Sequence, residues 1–245
     1  MLKRLRKKIN HILDLHYGKQ HEVKIIEDIK RQAEFRGSNI WMLICASLLT
    51  AIGLHINSVV ILVGAMLISP LMGPIIGIGL SLGIHDTSFL KKSMRNFVIV
   101  TVVTIAISAL FFSIAPQSND LSQLLLRTVT TPYDILIAFI CGLAGIVALT
   151  RAEKDTIIAG VAIATALILP LATIGFGIAT VQPVFVYGAF HLYGINCVFI
   201  GLATFIGVTY LKLPHVEQSH THFGVTKVMT LLLCIPALYL IYANL

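Results

Sequence analysis

LVGAMLISPLMGPIIGIG, Leu62 to Gly79, is apolar enough to cross a bilayer, yet it carries Pro70 and Pro74 in its middle with Gly73, Gly77 and Gly79 around them. A proline inside a helix removes an amide donor and crowds the carbonyl four residues back, so this segment predicts a helix broken near its centre. A second stretch, AIATALILPLATIGFGIA from Ala162 to Ala179, reads as the same device. At the shift that carries Pro70 onto Pro170, Leu67, Ile68, Leu71, Gly77 and Ile78 recur as Leu167, Ile168, Leu171, Gly177 and Ile178. Helices interrupted at matching places in two halves of a chain point to a transport site.

The rest of the chain fits a membrane setting. A 57% hydrophobic share with 12% charged residues over 245 residues exceeds what a soluble core of this size hides. Apolar runs of spanning length predict seven transmembrane helices: Ile40 to Leu54, Val59 to Ile84, Asn96 to Ala115, Tyr133 to Thr150, Thr156 to Thr180, Val184 to Leu211 and Val225 to Ala243. With the amino terminus in the cytoplasm, every one of the 18 lysines and arginines except Arg127 falls on the cytoplasmic side, and the carboxyl terminus lies outside. Spans two and five then run in opposite directions. Spans one to three and four to six become an inverted 3+3 repeat with broken second and fifth helices, followed by one extra helix. The pairs Ile44–Cys45 and Ile140–Cys141, in spans one and four, add a further echo.

The breaks matter because backbone groups freed in hydrocarbon must find partners in protein, water or ligand. Pro70, Pro74 and Gly77 in one copy and Pro170, Gly175 and Gly177 in the other are the expected helix-breaking residues. Ser69, Gly73, Thr165 and Thr173 are the candidate substrate-binding residues beside them, with Asn196 and His191 of span six as further lining. The competing reading is that the kinks are satisfied by hydroxyls and serve only packing. All 11 acidic residues lie outside the spans or at their rims, which weakens a proton-pump reading. A hydroxyl stripe at Thr101, Thr104 and Ser108 shares one helical face and reads more readily as close packing than as a site. The four cysteines, Cys45, Cys141, Cys197 and Cys234, each fall inside a predicted span without metal-ligand spacing and read as small apolar packing residues.

Residues 1–38 read as a basic amphipathic cytoplasmic segment of two helices divided near Gly18; the first, with Leu5, Ile9, Ile12 and His16 at helical spacing and Lys3, Arg4, Arg6, Lys7 and Lys8 around them, should lie on the anionic inner leaflet. No signal peptide is expected there. Residues 39–211 form the repeat-containing membrane domain, 212–224 a cytoplasmic loop with His215, Glu217, His220 and His222, and 225–245 the additional helix. No metal or other cofactor is assigned; the His-x-His spacing in the loop recurs too freely by chance to carry one. The net charge of +7 is mostly topology information, so no nucleic-acid partner is expected.

At SVVILVGAMLISPLMGPIIGIGLSLG, Ser58 to Gly83, the chain resembles a prokaryotic family of uncharacterised hydrophobic membrane proteins that carry a domain of unknown function. The GAMLISPLMGP string is the specific part, and the resemblance extends over Asn39 to Leu211. The second segment, GVAIATALILPLATIGFGIA from Gly160 to Ala179, is similar again, although the family pattern there more often has two prolines. Here Leu169 precedes Pro170, which implies a milder break. The resemblance implies a bacterial or archaeal membrane location and supplies no substrate, cofactor or catalytic residue.

The expectation is therefore an all-α polytopic protein of the cell membrane, a transporter or channel-like protein for a small solute or ion. Its partners would be the lipid bilayer and that solute, with homo-oligomer formation left open. The alternative is a non-transporting scaffold or lipid-interacting protein. An enzyme is not expected: there is no HExxH, no buried acidic pair and no Gly-x-Ser-x-Gly.

Overall fold

The computed structural model describes residues 19–34, 37–115, 120–150, 156–211 and 213–214. Among them every regular element is a helix. In chain order they are α1 (Lys19–Gln32), α2 (Ser38–His55), α3 (Val59–Ile68), α4 (Met72–Gly83), α5 (Thr87–Ile114), α6 (Ser122–Leu125), α7 (Pro132–Thr150), α8 (Thr156–Ala179) and α9 (Pro183–Leu211). Five of these are long and apolar enough to cross a membrane, and α3 with α4 makes a sixth if the bent pair counts as one span. The seventh expected span, from Val225, and the histidine loop lie outside the described residues.

The core is apolar, but so is much of the surface. On α5, Asn96, Thr104 and Ser108 are buried while Val98, Val102, Leu110 and Ile114 are exposed. Val60, Leu136, Ile137, Val184 and Phe190 extend that exposed apolar periphery over α3, α7 and α9. An apolar rim this continuous is compatible with hydrocarbon as its solvent and would be an aggregation hazard in water. Some buried hydroxyls find partners inside: Ser47 Oγ lies 3.4 Å from Thr104 Oγ1, and Thr50 donates to the Ala46 carbonyl at 2.7 Å.

Three helix hairpins close with one chemistry. Asn57, His85 and Val181 adopt positive φ just past the ends of α2, α4 and α8. In each case the next amide donates five residues back, Ser58 to Gly53 at 2.8 Å, Asp86 to Ser81 at 2.9 Å and Gln182 to Gly177 at 2.8 Å. This bond satisfies a carbonyl that the helix end would otherwise orphan. After the second turn the Asp86 side chain caps α5 by accepting from the Phe89 amide at 2.9 Å.

Helix α1, the second helix expected in the amino-terminal segment, packs on the rest of the protein. Its apolar residues Ile25, Ile26 and Ile29, with Ala33 just beyond its end, are buried against protein, and α4 and α7 are its neighbours. Lys30 pairs with Asp86 at 2.8 Å, Lys92 pairs with Glu34, and Asn96 caps the Ala33 carbonyl at 2.8 Å. The more basic helix expected at residues 1–18 lies outside the described residues.

Candidate functional site

The interruption expected between Ser69 and Pro74 is present. Helix α3 ends at Ile68, α4 begins at Met72, and the two are bent by 51° across Ser69, Pro70 and Leu71. The cause is local. Pro70 has no amide to offer Met66, whose carbonyl is met instead by a long 3.4 Å bond from the Ser69 amide. Pro74, four residues on, would crowd the Pro70 carbonyl if the helix ran through. Once the break exists, Pro74 sits in the first turn of α4, where a missing amide is harmless.

The matching interruption in span five is absent, and the expectation for Leu169 to Thr173 is corrected. Helix α8 runs unbroken from Thr156 to Ala179 with Pro170 inside it. Proline here orphans the Ala166 carbonyl, and Asn196 of α9 donates its side-chain amide to that oxygen at 2.7 Å. A single proline with an external donor need not break a helix in an apolar setting. Thr173 is fully buried and donates back to Leu169 at 3.0 Å, as an ordinary in-helix threonine does.

The remaining candidates divide. Thr165 donates to Val161 at 2.8 Å and lies 3.0 Å from the Met66 sulfur, which ties the middle of α8 to the last turn of α3. Ser69, the residue that closes α3, has a buried Oγ without a hydrogen-bond partner. Thr165 thus faces α3 and Asn196 binds α8 one residue further along, while Ser69 lies three residues past the Met66 that Thr165 touches. Gly73 does not join them: a Cβ there would lie 2.1 Å from the Gln32 carbonyl oxygen, so this glycine seats α1. Gly77 serves α1 and α5 likewise, 2.7 Å from Ser93 Oγ and 3.0 Å from Ala33 Cβ by the same measure. Gly175 and Gly177 lie in unbroken helix, packed on α5 and on the start of α9. His191 is exposed, with Nδ1 3.1 Å from Thr130 Oγ1, away from the break.

One polar cluster escaped the sequence reading. The Tyr193 hydroxyl lies 2.6 Å from Thr101 Oγ1, Cys197 is its other side-chain partner, and the Tyr193 ring stacks on Phe97 at 6.0 Å between centroids. A tyrosine in the middle of an apolar helix signals that its hydroxyl needs a partner, but it does not say on which helix.

Fold and site define a class: an all-helical protein with several helices apolar enough to cross a membrane, one of them interrupted at its centre. Within that class the chain belongs to the family described as domain of unknown function (DUF389), whose model matches residues 66–202. An uncharacterised protein of the archaeon Methanocaldococcus jannaschii is 30% identical over 174 residues, which is 71% of this chain and 54% of that protein. The chain thus spans about half the length of this relative. No solved structure matches the chain.

Proposed function

We propose that the protein is a multi-pass transporter or channel-like protein of the cell membrane, built as an inverted repeat, with a small solute or ion passing at the break in its second span. The observation that carries this reading is the interruption itself, with the buried, unpartnered Ser69 hydroxyl at its edge. Freed backbone groups at such a point suit an ion or a polar solute. The amino terminus is cytoplasmic and Arg127 external in this proposal, on the cation count alone.

The inverted repeat draws support from contacts rather than from the proline match. Gly79 approaches the Gly201 carbonyl and Thr204, whereas Gly175 approaches the Ile105 carbonyl and Ser108. The shift that carries Gly79 to Gly175 also carries Ile105 to Gly201 and Ser108 to Thr204, so one helix crossing is used twice. The same shift carries the positive-φ residue His85 to Val181, Thr87 at the start of α5 to Pro183 at the start of α9, and Thr101 to Cys197. It also carries Phe97 onto its stacking partner Tyr193, as a repeat axis passing between the two rings would require. Ile44–Cys45 and Ile140–Cys141 fit it, and it pairs Pro74, not Pro70, with Pro170. Ser69 then corresponds to Thr165, whose hydroxyl touches Met66 of span two. Neighbouring helices exchange accordingly: α2 with α3 and α5 becomes α7 with α8 and α9, while α5 on α8 becomes α9 on α4.

A cysteine at Ser69, with the native cysteines replaced, tests the reading through water-soluble thiol reagents added from each side of sealed vesicles. Labelling at Ser69 that a buried position on α4 such as Ile76 does not share supports a pathway. Protection from both sides favours the scaffold reading, which gains from the continuity of α8 and from the protein partners of Thr165, Thr173 and Asn196. No catalytic residue is part of either reading.

A further inference from the structure

Arg127 is a cation without a partner in the place where one is least expected. It follows α6 in a tight turn, its amide donating to Leu124 at 3.0 Å, and its side-chain Nε is buried with no hydrogen-bond partner. Among the described residues its guanidinium makes no ion pair. Burial pushes its pKa down, and the charge of Asp134 opposes that shift. That carboxylate is already engaged: its Oδ2 accepts from the Thr131 amide at 2.7 Å and the Thr131 hydroxyl at 2.8 Å, holding the start of α7. A half-buried guanidinium whose Nε–H is buried and unmet is costly unless an acceptor joins it.

The surroundings supply more donors. The turn after Arg127 is pressed onto α9, since a Cβ at Gly188 would lie 2.4 Å from the Thr128 carbonyl oxygen. One turn further along α9, His191 is exposed and reaches Thr130 Oγ1 at 3.1 Å. Arg127 and Thr130 thus belong to one turn packed on α9, Thr130 is bonded to His191 of that helix, and the carboxylate that acts on Arg127, Asp134, is already committed.

We infer that this corner binds an oxyanion group of phosphate or carboxylate character, with the Arg127 fork as its principal donor and Thr130 and His191 beside it. Arginine suits this role because its planar fork meets two oxygens at once. The group could belong to a soluble anion or to a lipid headgroup, the chemistry being the same. The inference stands apart from the transport reading, because the corner and the span-two break share no residue.

The test uses the full chain in phosphatidylcholine nanodiscs, with thermal unfolding followed while inorganic phosphate is titrated against chloride at matched ionic strength. A parallel set of discs contains phosphatidylglycerol. The wild-type midpoint should rise saturably with phosphate, which identifies a soluble anion, or only in the phosphatidylglycerol discs, which identifies a headgroup. Arg127→Gln should abolish the rise. Arg127→Lys, which keeps the charge and loses the fork, should weaken the apparent affinity by about tenfold or more, and it serves if Arg127→Gln does not fold. A wild-type protein indifferent to both additions, or an Arg127→Lys variant with unchanged affinity, would overturn the inference.

Discussion

A proline in mid-helix leaves the carbonyl four residues earlier without its donor, and in α8 that carbonyl belongs to Ala166. Asn196 supplies the missing donor, so the two residues act as one device across a helix pair. Asn196→Leu should cost roughly 1–3 kcal/mol, because it strands a buried carbonyl. Pro170→Ala restores an amide to the same carbonyl, so in that background Asn196→Leu should cost much less. A double-mutant cycle on unfolding free energy reads the coupling, and additive costs would show that the bond does not matter. Val181 gives the opposite case. It holds φ 55, a conformation disfavoured for a β-branched side chain, at an exposed turn. Val181→Gly should stabilise the protein by about 1 kcal/mol, seen as a higher midpoint of thermal unfolding.

At the scale of elements, the first break was legible because two prolines four residues apart leave no helical solution in local terms. The second was misread because Pro170 alone is ambiguous, and its resolution depends on Asn196, twenty-six residues away on another helix. The start of α5 was legible only in part. Lys91, Lys92 and Arg95 argue against a span there, yet the helix begins at Thr87, capped by Asp86, with Lys92 paired to Glu34 of the segment after α1. Gly73 was read as a point where a ligand meets backbone, and the backbone that approaches it is that of α1. Sequence cannot tell these apart, since both need a residue without Cβ. Gly73→Val should therefore cost roughly 1–3 kcal/mol and release α1, seen as faster amide exchange from Ile25 to Ala33. Gly64→Ala is the control: no atom lies within 4 Å of a Cβ there, and the exchange of α1 should not change.

At the scale of the molecule, the proline match at the shift from Pro70 to Pro170 and the contact match at the shift from Gly79 to Gly175 differ by about one helical turn. A slip of one turn returns each residue close to the same helix face, so an apolar pattern alone hardly separates the two registers. Under the proposed repeat, contacts separate them, because the crossings of α4 with α9 and of α8 with α5 match at the shorter shift. An inverted arrangement also fixes a topology, since the halves must enter the membrane from opposite sides. If the amino terminus is cytoplasmic, as proposed, the turn holding Leu126 and Arg127 would face outward, as would the hairpins at Asn57 and Val181, and the hairpin at His85 would face inward. In a variant without native cysteines, cysteine at the exposed Leu126 or Val181 should react with an impermeant reagent added outside intact cells, and cysteine at the exposed Ser88, just past the His85 turn, should react only after the cells are opened. Labelling in the reverse pattern would invert the molecule and place Arg127 in the cytoplasm. Labelling of Leu126 and Ser88 from the same side would be incompatible with α5 crossing the membrane, and with it the inverted repeat would fall.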